Sequence, residues 1–313
     1  MKVLIVCSGN IENFSFEKHQ AFIYDQVNAI KRFNGKVQFD YFFIQGKGII
    51  GYLKNLSRLR AKLKSQKFDL IHSHFALSAL FSNLQRKVAV LSTFHGSDIN
   101  LKKNRIISAV VELLSKETIY VSEKLYDKSI FKGRKNIIPC GVDLDIFIPL
   151  NFDEAVVKSG LNGHKKYILF SSSFDNPVKN SVLAKEALTI INDPQIELLE
   201  LKGFSRREVA ALMSAVSLSL LTSFSEGSPQ FIKEAMACNS PIVATNVGDI
   251  KDVIAKTEGC YLANFEAVDL AEKIKLALLF PHKTNGRNNI QNFDNQLIAK
   301  KVCSIYHKIS SEK

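Results

Sequence analysis

Residues 217–247 read SLSLLTSFSEGSPQFIKEAMACNSPIVATNV. An apolar run, SLSLLTS (217–223), gives way to a polar loop with one glycine. A helical stretch follows, and PIVATNV (241–247) is a second short apolar run. That order predicts strand, loop, helix, strand, the repeating unit of a parallel sheet. Pro229 suits a first helical position, because its missing N–H has no intrahelical partner there. Glu226 stands at the lip of the loop and Glu234 lies inside the helix. The loop N–H groups and the helix N-terminus present positive partial charge, which suits phosphate or sugar hydroxyls. A carboxylate that accepts a vicinal diol gains charge-assisted hydrogen bonds, about twice as strong as neutral ones. Acidic residues also favour helix starts for local reasons, so spacing alone leaves both readings open.

The same alternation extends outward in both directions. Before residue 150, strands are expected at 2–8, 37–44, 69–74, 88–95 and 118–122, with helices at 17–33 and 51–67 among the connections. After it, strands are expected at 166–173, 196–203, 217–223, 241–247 and 259–263, with a helix at 205–216 and closing helices at 266–280 and 296–310. The fold class is therefore α/β, with two doubly wound, Rossmann-like domains: an N-terminal one over 1–149 and a C-terminal one over 150–295. They join near IPCGVDLDIFIP (138–149). In such sheets ligands bind where loops leave the carboxyl ends of the strands, and a cleft between the two domains is the expected site.

The chain's 313 residues exceed one typical core, in keeping with two domains. No apolar run approaches the roughly 18 residues needed to span a bilayer. MKVLIVCSG at the start reads as a buried strand rather than a signal segment. Five scattered cysteines without a CxxC pair argue against a disulfide framework or zinc site, and fit a reducing cytoplasm. Charge is uneven. Residues 1–149 carry 23 Lys+Arg against 12 Asp+Glu, while residues 150–313 carry 19 against 18. Such asymmetry points to a polyanion facing the first half, or to an ordinary basic surface.

At EGSPQFIKEAMACNSPIVATNVGDIKDVI the chain resembles the nucleotide-sugar site of the retaining glycosyltransferases of family 4, which have the GT-B fold. The pattern is Glu, seven residues, Glu, then Ala-Met-Ala, a small turn and Pro-hydrophobic-Val-Ala-Thr. STFHGSD (92–98) is similar to the family's Thr-x-His-Gly loop, IIPCGVDLDIFIP to its inter-domain segment, and VKN (178–180) to its phosphate-loop lysine. The resemblance covers nearly the whole chain.

The resemblance implies roles. Glu226 would contact donor-sugar hydroxyls, the backbone of Gly227, Ser228, Pro229 and Gln230 would hold sugar and phosphates, and Glu234 would grip the ribose. Lys179 would neutralise the diphosphate leaving group, and Phe204 would lie beside the base. His95 would sit near the transferred sugar. Ser8 and Gly9, in the first turn, would let backbone approach the phosphates. Glu226, His95 and Lys179 are the expected catalytic residues. No metal or cofactor is expected, since a lysine and helix dipoles can stabilise charge on the leaving oxygens. The acceptor would be a glycan or a lipid-linked glycan, the setting cell-surface polysaccharide assembly, and the helix 296–313 would return to the first domain. Two departures stand out. No Arg occurs between Gly160 and Lys202, where the family usually has one, and the first turn has one glycine where many relatives have two.

Other motifs carry less. DLD (143–145) matches a metal-binding string of a different glycosyltransferase fold but falls in the hinge segment. HSH (72–74) lacks a third ligand at suitable spacing, and GKGIIG (46–51) reads as a loop. GYLKNLSRLRAKLKSQK (51–67) sets Lys54, Arg58, Arg60, Lys62, Lys64 and Lys67 beside Leu53, Leu56, Leu59 and Leu63. The leucines mark a packed face and the cations an outer one, which suggests contact with an anionic membrane surface at the inner face of the cell membrane. The rival readings are a nucleotide-sugar epimerase of the same fold, an inactive relative, and a basic nucleic-acid binder. No recognition motif or interleaved aromatic supports nucleic-acid binding.

Overall fold

The computed structural model describes residues 1–132, 135–281 and 283–312. The chain divides into two compact units, each around its own parallel sheet. The first comprises Met1–Cys140 and the terminal segment from Asn295; the second is Gly141–Asp294.

In the first unit the strands are β1 (Lys2–Ser8), β2 (Gln38–Ile44), β3 (Leu70–His74), β4 (Val90–Phe94) and β5 (Glu117–Tyr120), in the order β2-β1-β3-β4-β5. All pairings are parallel, and β1 runs beside β2 from Lys2 opposite Gln38 to Ser8 opposite Ile44. Val3, Leu4, Ile5, Val6 and Cys7 are all fully buried, as a central strand covered on both faces requires. The helices Ala21–Phe33 and Asn295–Ser311 pack together and share one cluster, with Ile23, Val27, Ile30, Ile298, Val302 and Tyr306 in it. Leu59, Phe81 and Phe42 belong to a cluster that includes Leu4 and Val6.

The second unit contains β6 (Lys166–Phe170), β7 (Ile196–Glu200), β8 (Leu218–Leu221), β9 (Ile242–Thr245) and β10 (Cys260–Ala263), in the order β10-β9-β8-β6-β7. From β6 the chain winds outward to β7, then crosses back to β8 and on to β9 and β10. The winding direction reverses between β6 and β8, and that switch point is where an open α/β sheet leaves a crevice at its strand ends. In the first unit the reversal lies between β1 and β3.

Three expectations need correction. The unit boundary falls at Cys140/Gly141 rather than 149/150, because Val142, Leu144 and Phe147 are buried in the core of the second unit. Arg287 holds that segment by donating to the carbonyls of Leu144 at 2.8 Å and Ala237 at 3.2 Å. The expected helix 17–33 is two helices, Phe16–His19 and Ala21–Phe33, interrupted where Gln20 turns its side chain to the Ser8 carbonyl. The expected helix 51–67 is Gly48–Leu53 and Leu56–Ser65. Buried Asn55 makes the break, its amide donating to the carbonyls of Gln45 (2.6 Å) and Gly51 (2.9 Å). Four of the six residues of GKGIIG are thus helical, and its outer glycines are needed because a Cβ on Gly51 would lie 2.5 Å from the Gly46 carbonyl carbon.

Candidate active site

Lys179 and Glu226 are 47 residues apart in sequence, yet the Lys179 ammonium donates to Glu226 Oε1 at 2.6 Å. Topology explains the meeting: Lys179 follows β6, Glu226 follows β8, and these strands are neighbours on either side of the switch point. Lys179 closes the short turn Pro177–Lys179, whose start is capped by Asn176 accepting from the Val178 N–H. Thr222 Oγ1 reaches the carbonyls of both Lys179 and Asn180 at 2.9 Å, and the Phe224 N–H donates to the Val178 carbonyl. Asn180 adopts the left-handed conformation, φ 54°, that asparagine tolerates. Ser223 Oγ donates to the same Glu226 Oε1 at 2.7 Å. The two loops are therefore stitched by backbone and side-chain hydrogen bonds as well as by the ion pair.

Glu234 lies in the helix Gln230–Ala237, which is buried from Phe231 to its end. A buried carboxylate needs a partner, and Arg206 supplies it, with Nη2 donating to Glu234 Oε1 at 2.5 Å. The guanidinium also stacks over the ring of Phe147, 4.7 Å from its centroid. Arg206 opens the helix Arg206–Ala215, capped by Ser205 and Glu208 in a reciprocal capping box. Phe204, just before that cap, is 41% exposed. Sequence reading passed over Arg206, because SRREV is an ordinary helix start; the residue sits outside the segment where the family's arginine was sought.

The remaining loop residues are more enclosed than expected. Gly227, Ser228 and Pro229 are buried, and Pro229 is the N-cap rather than the first helical residue. Gln230 donates its amide to the Gly141 carbonyl at 2.6 Å.

In the first unit, His95 follows β4 and is buried. Its backbone N–H donates to Asp98 Oδ2 at 2.7 Å, and Asp98 Oδ1 accepts from the Ala76 N–H at 2.8 Å. Asp98 thus ties the loop after β4 to the helix after β3, a role the STFHGSD string did not reveal. Burial pushes the Asp98 carboxyl up to about 7, against the pull of those two N–H groups. His95 Nε2 meets His74 Nδ1 at 3.3 Å, and the ring packs against Phe22 and Phe75. Burial lowers the pKa of His95 to about 3, so the imidazole is neutral near pH 7. His72 is bonded to Tyr306 and Thr93, and His74 to His95. Asp143 of the DLD string accepts from the Asp145 N–H in a local turn.

Ser8 ends β1 and Gly9 follows it, at that unit's switch point. The glycine, however, answers to packing: a Cβ there would lie 2.9 Å from Phe43 Cβ, and the Gly9 N–H donates to the Ile44 carbonyl at 2.8 Å. That N–H is committed to the neighbouring strand.

Two family models match the chain, Glycosyltransferase Family 4 over residues 6–146 and Glycosyl transferases group 1 over residues 177–279. This chain belongs to the family 4 glycosyltransferases. The glycosyltransferase is 25% identical to an uncharacterized glycosyltransferase of Methanocaldococcus jannaschii, over 96% of its own chain and 88% of the relative's. It is 21% identical to the UDP-Gal:alpha-D-GlcNAc-diphosphoundecaprenol alpha-1,3-galactosyltransferase of Escherichia coli, covering 82% of this chain and 79% of that one. Sucrose-phosphate synthase from Thermosynechococcus elongatus matches with a TM-score of 0.83 at 16% identity, over 100% of both chains. HepE of Anabaena, solved with UDP and glucose, matches with a TM-score of 0.75 at 15% identity, over 98% of this chain and 100% of that one. These likenesses establish the fold of the glycosyltransferase as GT-B.

Proposed function

We propose that the protein transfers a hexose-type sugar, with retention at the anomeric carbon and without a metal ion, from a nucleoside-diphosphate donor to a glycan or lipid-linked acceptor in cell-surface polysaccharide assembly. The observation that carries this reading is the convergence of Lys179 and Glu226 at 2.6 Å at the switch point of the second unit. Departure of a nucleoside diphosphate builds negative charge on the leaving oxygens. A preorganised ammonium at that place stabilises the charge as it develops. Glu226 holds the ammonium in position before substrate arrives, and its carboxylate is the natural acceptor for donor-sugar hydroxyls. Glu234, fixed by Arg206, offers a carboxylate edge to the ribose diol, and exposed Phe204 offers a ring to the base. In the first unit, neutral His95 suits a hydrogen bond to an uncharged sugar hydroxyl better than proton donation. The printed names of the relatives lend support: the Escherichia coli enzyme is named for a UDP-Gal donor and a diphosphoundecaprenol acceptor, and HepE was solved with UDP.

Among the described residues no helix is long and apolar enough to cross a membrane. Peripheral docking on anionic lipid is proposed through Leu56–Ser65 and its flanks. Leu59 is fully buried there, while Lys54, Arg58, Arg60, Lys64 and Lys67 stand exposed, each contributing about 1 kcal/mol near an anionic surface. Lys62 is paired with Asp40, and Leu53 faces outward rather than into the core.

A thermal-shift screen with UDP, GDP, ADP and TDP sugars, followed by transfer assays with the stabilising donor in EDTA, tests the reading. An α-linked product from an α-linked donor, read by NMR, is expected. Inverted product, EDTA-sensitive transfer, or epimerised donor formed without acceptor would each overturn the corresponding part.

A further inference from the structure

Three side chains beneath the 226–230 loop take no part in the scheme above. Lys233 is fully buried, in a helix with no solvent-facing side at that position. Its ammonium donates to Ser228 Oγ and, at 3.4 Å, to the Ser228 carbonyl, and lies 5.2 Å from the centroid of the Phe293 ring. Ser228 Oγ in turn donates to Asp249 Oδ2 at 2.5 Å. The hydroxyl therefore bridges a cation and a carboxylate, and it satisfies both in one orientation only, lone pair toward Lys233 and hydrogen toward Asp249. Asp249 belongs to the loop after β9, and its second oxygen, Oδ1, is buried with no hydrogen-bond partner. Burial raises the Asp249 carboxyl, with nearby Lys233 pulling it back down.

The two loops also touch through their backbones. Gly248 has φ +58°, and a Cβ there would lie 2.8 Å from the Gly227 carbonyl oxygen. Glycine is thus required both for conformation and for contact. Burying three polar side chains under this contact costs desolvation that an apolar filling would avoid. What such a network adds is directionality, since each hydrogen bond fixes the backbone of the residue that bears it.

We propose that Lys233, Ser228 and Asp249 form a positioning triad that sets the shape of the 226–230 loop and, through it, the grip of that loop on the nucleoside-diphosphate end of the donor. The proposal rests on the donor-site reading. It makes these residues act through the loop, with Lys233 and Asp249 out of contact with substrate.

Ser228→Ala removes the bridge. The double variant Lys233→Met/Asp249→Asn removes both charges together at similar volume, so that no lone buried charge remains. Calorimetric Kd values for UDP, GDP, ADP and TDP identify the preferred diphosphate on the full-length wild type. The same Kd, the donor KM and kcat, and the Tm are then measured on the variants. The double variant is expected to keep a Tm close to wild type, while Kd and donor KM rise about tenfold and kcat changes less than about twofold, the scale on which outer supporting residues act. Ser228→Thr, which keeps the hydroxyl, is expected to recover part of the affinity that Ser228→Ala loses. A double variant with unchanged Kd and KM would show a merely structural network and overturn the proposal; should Ser228→Ala fail to fold, the double variant decides. A wild type that binds none of the four diphosphates would overturn the donor reading itself, and the triad's role with it.

Discussion

The loop after β4 and the loop after β8 each leave an inner parallel strand for a helix, and they are built on opposite electrostatic plans. After β4 the groups are neutral or nearly so: His95, which meets His74 at the end of β3, is like it a buried imidazole with a lowered pKa, and Asp98 is a carboxyl pushed up to about 7. After β8 the groups are ion pairs, Lys179 with Glu226 and Arg206 with Glu234. Net charge runs the other way, since the excess of cations lies in residues 1–149. Overall charge therefore describes the outer surface of the first unit, where Arg58, Arg60 and Lys64 are exposed, and says little about where charges are paired in the loops at the strand ends. A neutral site suits uncharged hydroxyls; paired charges suit a ligand that brings its own charge and can share or replace a partner.

The sharpest way to break this comparison is to remove one charge from the second plan. Lys179→Ala and Glu226→Ala are each expected to lower kcat by about 10²–10³, the effect of losing one electrostatic stabiliser. Because the two act as one unit, the double variant should be little worse than either single one, and a multiplicative loss would show that they act independently. Arg206→Ala comes next. It leaves Glu234 buried without this partner, and about 2–3 kcal/mol of stability should be lost by denaturant titration, discounting the usual cost of a broken buried pair for the partial exposure of the arginine. Arg206→Lys should recover part of this but not the stacking on Phe147. An Arg206→Ala protein as stable as wild type would mean that Glu234 reaches water.

The neutral plan is tested by pH. His72 and His95 have folded pKa values of about 3, and His74 is also lowered, so acidification protonates them first in the unfolded chain. Their contribution is present above about pH 6.5 and is lost as pH falls toward 3. Asp98 acts in the opposite sense, its raised carboxyl adding stability as pH falls from about 7. Three groups outweigh one, and local stability should drop by about 1–3 kcal/mol per pH unit below 6, read by hydrogen exchange of the β3 and β4 amides. A flat profile between pH 7 and 5 would mean hydrated histidines. The smallest effect is expected from His95→Gln, which retains an uncharged hydrogen-bonding group and should cost about tenfold in kcat/KM; a loss equal to that of Lys179→Ala would mean that His95 does more than hold a hydroxyl.

Much of the fold was legible because both parallel sheets are covered on two faces. Runs such as KVLIVCS and KYILF are then nearly all apolar and stand out from their surroundings. The helix interruptions were not legible, because Gln20 and Asn55 break their helices by bonding to carbonyls that only the fold brings near. Within the candidate site, the spacing of Glu226 and Glu234 left two readings open, and the family resemblance singled out those two residues and Lys179. Arg206 was missed because its partner lies 28 residues away, and Lys233 because a lysine in QFIKEAMA reads as the polar side of an amphipathic helix. In the structure that helix has no polar side.

The order of strands and helices, the division into two sheets and the residue types at the strand ends were all determined by local pattern, since hydrophobic period and loop chemistry act over a few neighbouring residues. Which charges face which was decided by tertiary structure alone. Strand order sets the neighbours of each loop, and a buried charge takes the partner that this order delivers, however distant along the chain.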